Sequence, residues 1–331
     1  MDRTNLEHWE QLAGFHGTGA DRYYDLEKLI NGGTLMCSEE RNALALATNG
    51  KGVSGLDVMH LQCHIGCDAI TMARDGAKVT GVDFSPTALE RLRALAQDCR
   101  VDVATIEADS RALPTALDGH FDIVYATIGV LCWIDDLDAW MGGVARVLKP
   151  GGTLVLVELH PLLTMIDSLS PLVVDFSYNN DGVHTYTGTG SYANRDADVA
   201  WTVTQYAHGL AEVVMAATAA GLTLRHLEEH TSMGFDPRGM DETTAESDGR
   251  YRVRVGVGAK NGDDRDPAFP IPVLYTLLAT RPLPDQRNHG PDVATGARIL
   301  LGPTESQVRE STNGRARRRH DQGFQIVPHA R

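Results

Sequence analysis

The chain has 331 residues, 42% of them hydrophobic, and a formal net charge of −14, enough for one large domain or two small ones around a sizeable core. No run of about 18 apolar residues occurs, so no membrane span is expected, and the polar start MDRTNLEHWEQ has no secretory signal core. Residues 283–331 hold eight arginines and five acids, net +3, which leaves −17 on residues 1–282; so acidic a body repels a nucleic-acid backbone and suits neutral or cationic small molecules.

Taken in chain order, residues 5–31 read as one or two helices, with Leu6, Trp9, Leu12 and Phe15 at helical spacing. Leu56–Leu61 reads as a strand, LQCHIGCD (61–68) as a turn, and Asp68–Asp75 as a helix ending at Gly76. Lys78–Val82 is a second strand closed by Asp83. Ser85-Pro86 then opens a helix to about Cys99, with Ser85 as N-cap and Pro86 in the first turn. Val101–Glu107 and FDIVYAT (121–127) are the third and fourth strands, the latter apolar enough to be buried on both faces. Leu137–Leu148 is a helix stopped by Lys149-Pro150-Gly151-Gly152, and Thr153–Leu159 is the fifth strand.

Residues 160–208 interrupt this rhythm with six aromatics and no clear helix, and read as an inserted cap of short antiparallel strands. The pattern resumes with a helix over 209–220 and strands over Leu222–Glu228 and Val273–Thr280. Residues 283–331 lack sustained periodicity and read as a disordered basic tail. Strands alternating with helices imply an α/β, Rossmann-like, doubly wound sheet, mostly parallel, whose ligands bind beyond the carboxyl ends of the strands. The expected organisation is an N-terminal helical lid (1–50), a core (51–282) carrying the cap, and the tail. Five cysteines, an odd number in a long chain, fit free thiols in the cytoplasm.

The LQCHIGCD turn occupies the ligand-binding position after the first strand. His60, Cys63, His64 and Cys67 have spacings within reach of tetrahedral zinc, but His60 lies in the strand and the turn would have to fold back on itself, so no metal is assigned. A dinucleotide loop needs G-x-G-x-x-G, and only Gly66 is present, which disfavours NAD(P).

LDVMHLQCHIGCDAITMARDGAKVTGVDFSPTAL, EADSRALP (107–114), GHFDIVYATIGVLCWIDDL (119–137) and VLKPGGTLVLVELHP (147–161) together resemble the class I S-adenosylmethionine-dependent methyltransferases, in the right order and at the right spacing. The resemblance is greatest to a bacterial small-molecule subgroup with an HLQCH-type turn, and it covers about residues 5–282. It implies a seven-stranded sheet, S-adenosylmethionine as cofactor with S-adenosylhomocysteine as product, and a small-molecule acceptor in specialised metabolism. The family's usual acid and glycines are replaced by His60, Gln62 and His64, so Gln62 and His64 are expected to supply polar contacts beside Gly66. By the same resemblance Asp83 takes the ribose diol, Phe84 packs on ribose or adenine, and Asp109 and Ser110 hold the adenine edge. Thr127 and Gly129 lie over the sulfonium, and Tyr24 reaches in from the lid.

Methyl transfer is an in-line displacement with a neutral leaving group, so orientation is the main requirement, and a base is needed only where the acceptor loses a proton. His160 and His208 are the candidate bases. Trp133, Glu158, Tyr186 and Tyr192 are the candidate acceptor contacts. Aromatics and an acidic body favour an amine acceptor, while O- and C-methylation, a non-catalytic cofactor-binding protein and a homo-oligomer remain open.

Overall fold

The alternation of strands and helices is present in the computed structural model, which describes residues 3–18, 23–169, 172–179, 182–191, 193–194, 197–236, 245–255 and 269–284. Tail residues 285–331 and Tyr192 lie outside the described residues. The N-terminal part forms α1 (Arg3–Phe15), α2 (Leu26–Ile30) and α3 (Ser38–Ala47). α3 lies beyond the helices expected over 5–31. Its start, SEERNALALA, is too polar to signal a buried helix, yet Glu39 and Glu40 are both buried.

The core follows as β1 (Asp57–Leu61), α4 (Cys67–Arg74), β2 (Lys78–Asp83), α5 (Pro86–Asp98), β3 (Val103–Glu107), β4 (Phe121–Thr127), α6 (Leu137–Val147) and β5 (Leu148–Leu159). The cap contributes α7 (Pro161–Thr164), β6 (Ile166–Leu169), β7 (Leu172–Val174), β8 (His184–Thr189) and β9 (Ala200–Gln205). α8 (Leu210–Ala219), β10 (Thr223–His230), the short pair β11 (Arg254–Val255) and β12 (Phe269–Pro270), and β13 (Leu274–Thr280) complete the described chain. Among the described residues no helix is long and apolar enough to cross a membrane.

Seven strands form one sheet in the order β10-β13-β5-β4-β1-β2-β3. β1 to β5 run parallel, and β13 is antiparallel to both β5 and β10. Period-two alternation divides the core: Val58, Tyr125 and Val155 face one layer with α3, α4 and α5, while Met59, Val124 and Leu154 face the other with α6 and α8. β5 begins earlier than expected, at Leu148, because Lys149-Pro150-Gly151-Gly152 extends the strand backward. Lys149 Nζ there bridges Asp57 (2.6 Å) and Asp122 (2.8 Å).

The chain winds from β1 through β2 to β3 in one direction and crosses back to β4 and β5 in the other. The crevice between β1 and β4 is therefore the topological switch point. α1 closes over it. Glu10 accepts from the hydroxyls of Ser85 and Thr87 at the start of α5, and Asn5 grips the cap. Asn5 Nδ2 donates to the Thr204 carbonyl and its Oδ1 accepts from the Thr204 N–H, each at 2.8 Å and buried. Asn5→Ala leaves both backbone groups of β9 unpaired and is expected to destabilise the protein by about 1–3 kcal/mol, read as a lowered midpoint in urea with an unchanged slope.

Candidate functional site

The turn after β1 is built from three left-handed residues: Gln62 (φ 57), His64 (φ 49) and Gly66 (φ 75). Only the last must be glycine for space as well as for φ, since a Cβ at Gly66 would stand 2.2 Å from Leu92 Cδ1. The two non-glycine residues carry a conformational cost that their side chains offset. Gln62 Oε1 accepts from Trp140 Nε1 (2.8 Å), and Gln62 Nε2 donates to the Val130 carbonyl (3.1 Å). His64 Nε2 lies 2.9 Å from His16 Nδ1, and His16 Nε2 lies 2.8 Å from Ser191 Oγ in the cap. Both residues border the crevice as expected, but these atoms brace the turn rather than reach for a ligand. Cys63 points its thiol at the His64 carbonyl, and His60 packs edge-on against Tyr125. Among the described residues no three His, Cys, Asp or Glu side chains converge on a metal-sized gap.

The crevice opens into a cavity of about 1080 Å³, counting the open space at its mouth. Tyr24, Gln62, His64, Gly66, Asp83, Phe84, Asp109, Ser110, Thr127 and Gly129 all line it, and so does Trp133. The structure adds Asn5, Trp9, His60, Asp68, Arg111 and Tyr206. Of these, Asp68 carried a sequence signal, as an acid in the first turn of the helix that Gly66 opens.

Asp83, 6% exposed, ends β2 with Oδ1 accepting from Ser85 N–H (2.9 Å) and Oδ2 from His64 N–H (2.8 Å). Burial pushes its carboxyl up to about 6 despite those donors. Asp109 is held down to about 2 by the Arg111 side chain, whose Nη2 lies 2.6 Å from Oδ2 and whose Nε lies 2.9 Å from Oδ1. The expected adenine acceptor is thus already an ion pair, and Ser110 beside it is the uncharged neighbour. Burial lowers His60 and His64, both in the cavity wall, to about 3, and His8 behind Trp9 and Trp133 to about 4, so these histidines are neutral. Trp9 packs edge-on against His64 (5.1 Å) and Trp133 (5.3 Å) there.

Two further carboxyls meet at the base of the cavity. The Tyr125 hydroxyl lies 3.2 Å from Glu40 Oε1 and 3.3 Å from Asp68 Oδ2. One hydroxyl proton cannot serve two carboxylates. Burial first, and mutual repulsion at Asp68, push both carboxyls upward, so the pair retains a proton.

Behind the turn at Gly129–Trp133 lies a second chamber of about 630 Å³, counting its mouth. Glu158, Tyr186 and His208 line it as expected, and Tyr206 borders both spaces. His160 lines neither. It caps α7, with Nδ1 accepting from Leu162 N–H (3.1 Å) and Nε2 lying 2.8 Å from Glu229 Oε1, so both ring nitrogens are engaged and the expected base position is corrected to a structural one. Glu158 is likewise reassigned. Its carboxylate accepts from the N–H groups of Gly129, Val130 (2.8 Å), Leu131 (3.0 Å) and Leu159 (2.6 Å), which leaves it an anchor for the turn rather than an acceptor contact. His208 Nε2 lies 2.7 Å from the Ile134 carbonyl, which makes it the protonated nitrogen. Nδ1 stands 3.2 Å from Glu212 Oε1 without hydrogen-bond geometry. Two further histidines lie nearby in sequence: His184 borders the second chamber, and His230 Nε2 lies 2.8 Å from Thr276 Oγ1.

Residues 58–152 match the methyltransferase domain family. A curated relative, the ubiquinone biosynthesis O-methyltransferase of Escherichia coli (strain SMS-3-5 / SECEC), is 30% identical over 165 residues, 48% of this chain and 65% of that protein. The chain thus spans just under two thirds of this relative's length. The fold also resembles a structure solved for the conversion of a disulfide bond into a thioacetal group during echinomycin biosynthesis (TM-score 0.51, 15% identity, 86% of this chain and 95% of that one). An S-adenosylmethionine-dependent methyltransferase from Mesorhizobium loti aligns at TM-score 0.49 and 20% identity over 76% of this chain and all of that one.

A carboxyl whose pKa is raised by folding favours the fold while protonated, and that contribution is lost as pH rises through the raised value. Thermal unfolding followed upward from pH 4, just above the ordinary carboxyl value of 3.8, is therefore expected to show Asp68→Asn losing less Tm than the parent protein as pH rises.

Proposed function

We propose that the chain is a class I S-adenosylmethionine-dependent methyltransferase that methylates a hydroxyl oxygen of a small-molecule acceptor, with S-adenosylhomocysteine as the second product. The observation that carries this reading is the cavity at the β1–β4 switch point, lined by all ten residues expected to hold the cofactor. The side chains fit it. Gly66 offers backbone where a Cβ would collide, Asp83 presents a buried carboxylate for a vicinal diol, and Trp9, Phe84 and Trp133 supply apolar walls. Asp68, in the first turn of α4, is the acid suited to an ammonium group.

When bound, S-adenosylmethionine supplies an electrophilic methyl group whose departure leaves a neutral thioether, so no acid is required. What remains for this chain is to exclude water, seat the acceptor and take its proton. α1, Trp9 and the cap close the cavity from above. His208 borders the second chamber with Nε2–H committed to the Ile134 carbonyl, which leaves the Nδ1 lone pair for the proton and Glu212 to steady the resulting imidazolium. Oxygen is preferred to the amine suggested by the aromatic cap and acidic charge because the curated relative is named an O-methyltransferase. The five free thiols support the cytoplasm as the site of action.

Calorimetric titration with S-adenosylhomocysteine, with NAD+ and NADP+ as controls, tests the cofactor. S-adenosylhomocysteine alone is expected to bind. Because the Asp83 carboxyl titrates near 6, affinity is expected to fall as pH drops from 7.5 to 5. Asp83→Asn is expected to weaken binding at least about tenfold at pH 7.5 and to flatten that dependence. His208→Ala is expected to lower kcat by about 10²–10⁴-fold on a hydroxylated acceptor, with the S-adenosylhomocysteine Kd unchanged. No binding of S-adenosylhomocysteine by folded protein would sink the proposal.

A further inference from the structure

The second chamber has a chemistry of its own. Phe176, Tyr186, Tyr206 and Tyr275 form much of its wall, and Tyr206 also borders the first cavity, so an occupant here lies against the cofactor space. Glu158 is the one acid among the described residues that line it, and four backbone N–H groups already hold that carboxylate. No ammonium can pair with it without pulling the Gly129–Leu131 turn apart. No lysine or arginine lines the chamber among the described residues either, and of its two histidines His208 already has Glu212 beside it, so a carboxylate or phosphate on the occupant would find no permanent cation. A charged group moved from water into such a space loses hydration without compensation.

Two polar atoms in the wall lack a hydrogen-bond partner, His208 Nδ1 described above and an amide nitrogen of Gln205. Gln205, at the end of β9, is 4% exposed and borders the chamber, and its Nε2 makes no hydrogen bond. A buried amide donor left unpaired is costly, and it calls for an acceptor oxygen on whatever fills the space. Resting on the functional reading above, we propose that this chamber is the acceptor site, that it selects an uncharged planar aromatic bearing a phenolic oxygen, and that Gln205 is the specificity residue donating to an oxygen of that ring.

The test uses the full chain saturated with S-adenosylhomocysteine and three ring probes of similar size: 2-methoxyphenol (neutral), benzylamine (cation) and benzoate (anion). Binding is read by saturation-transfer NMR and calorimetry. The phenol is expected to bind at least about tenfold more tightly than either ion. Gln205→Leu, and Gln205→Met as a second apolar replacement of similar length, are expected to weaken the phenol about tenfold while the S-adenosylhomocysteine Kd stays unchanged, which also shows the fold intact. Equal or tighter binding of benzylamine or benzoate overturns the proposal. So does unchanged phenol affinity in both Gln205 variants, or no phenol binding at all. A failed S-adenosylhomocysteine titration would instead strike the cofactor reading, and the phenol titration distinguishes the two.

Discussion

The Glu158 carboxylate holds the turn on which both chambers depend. It is buried at the end of β5 and accepts from four N–H groups, three of them on consecutive residues 129–131. Burial alone would push its proton on, and the ring of donors opposes this. Gly129 and Val130 line the first cavity and Leu131 and Cys132 line the second, so the anchored turn is the partition between them. Removing the side chain would leave the N–H groups of residues 129–131 without this acceptor and loosen the partition.

A second set of ties crosses the mouth. α1 reaches the core through Glu10 and reaches the cap through Asn5. His16 spans His64 in the cofactor-side turn and Ser191 in the cap. These contacts join lid, turn and cap, three segments far apart in sequence, around one space. Because burial keeps His60 and His64 neutral, the histidines of the cavity wall add no positive charge beside the sulfonium that the proposed reaction requires.

Replacement of glycines at 62 and 64 reads in sequence as loss of a ligand loop. The structure gives a different account. Both positions keep the left-handed backbone that glycine usually serves, and side chains occupy the remaining space as braces to Trp140, Val130 and His16. The position most constrained is Gly66, where Leu92 of α5 leaves no room for a Cβ. The turn is rigid through hydrogen bonds where its glycine-rich counterparts rely on backbone freedom.

Local pattern was enough to locate the core strands, their mostly parallel character and the crevice at their ends, because period-two burial, the Ser85-Pro86 cap and the Gly66 turn are signals carried within a few residues, whereas the strand order came from the structure. The residues that the family resemblance nominated for the cofactor all border the cavity, most of them at or just beyond strand ends whose positions topology dictates. Which atoms are available there was settled only by tertiary packing. Asp109 is taken by Arg111, Glu158 by the 129–131 turn and His160 by α7 and Glu229. The pairing of Glu40 with Asp68 and the unpartnered Gln205 amide likewise arise from contacts between segments distant in sequence. A residue's place along a strand follows from its own sequence, whereas its protonation and its free lone pairs depend on what the rest of the chain brings against it.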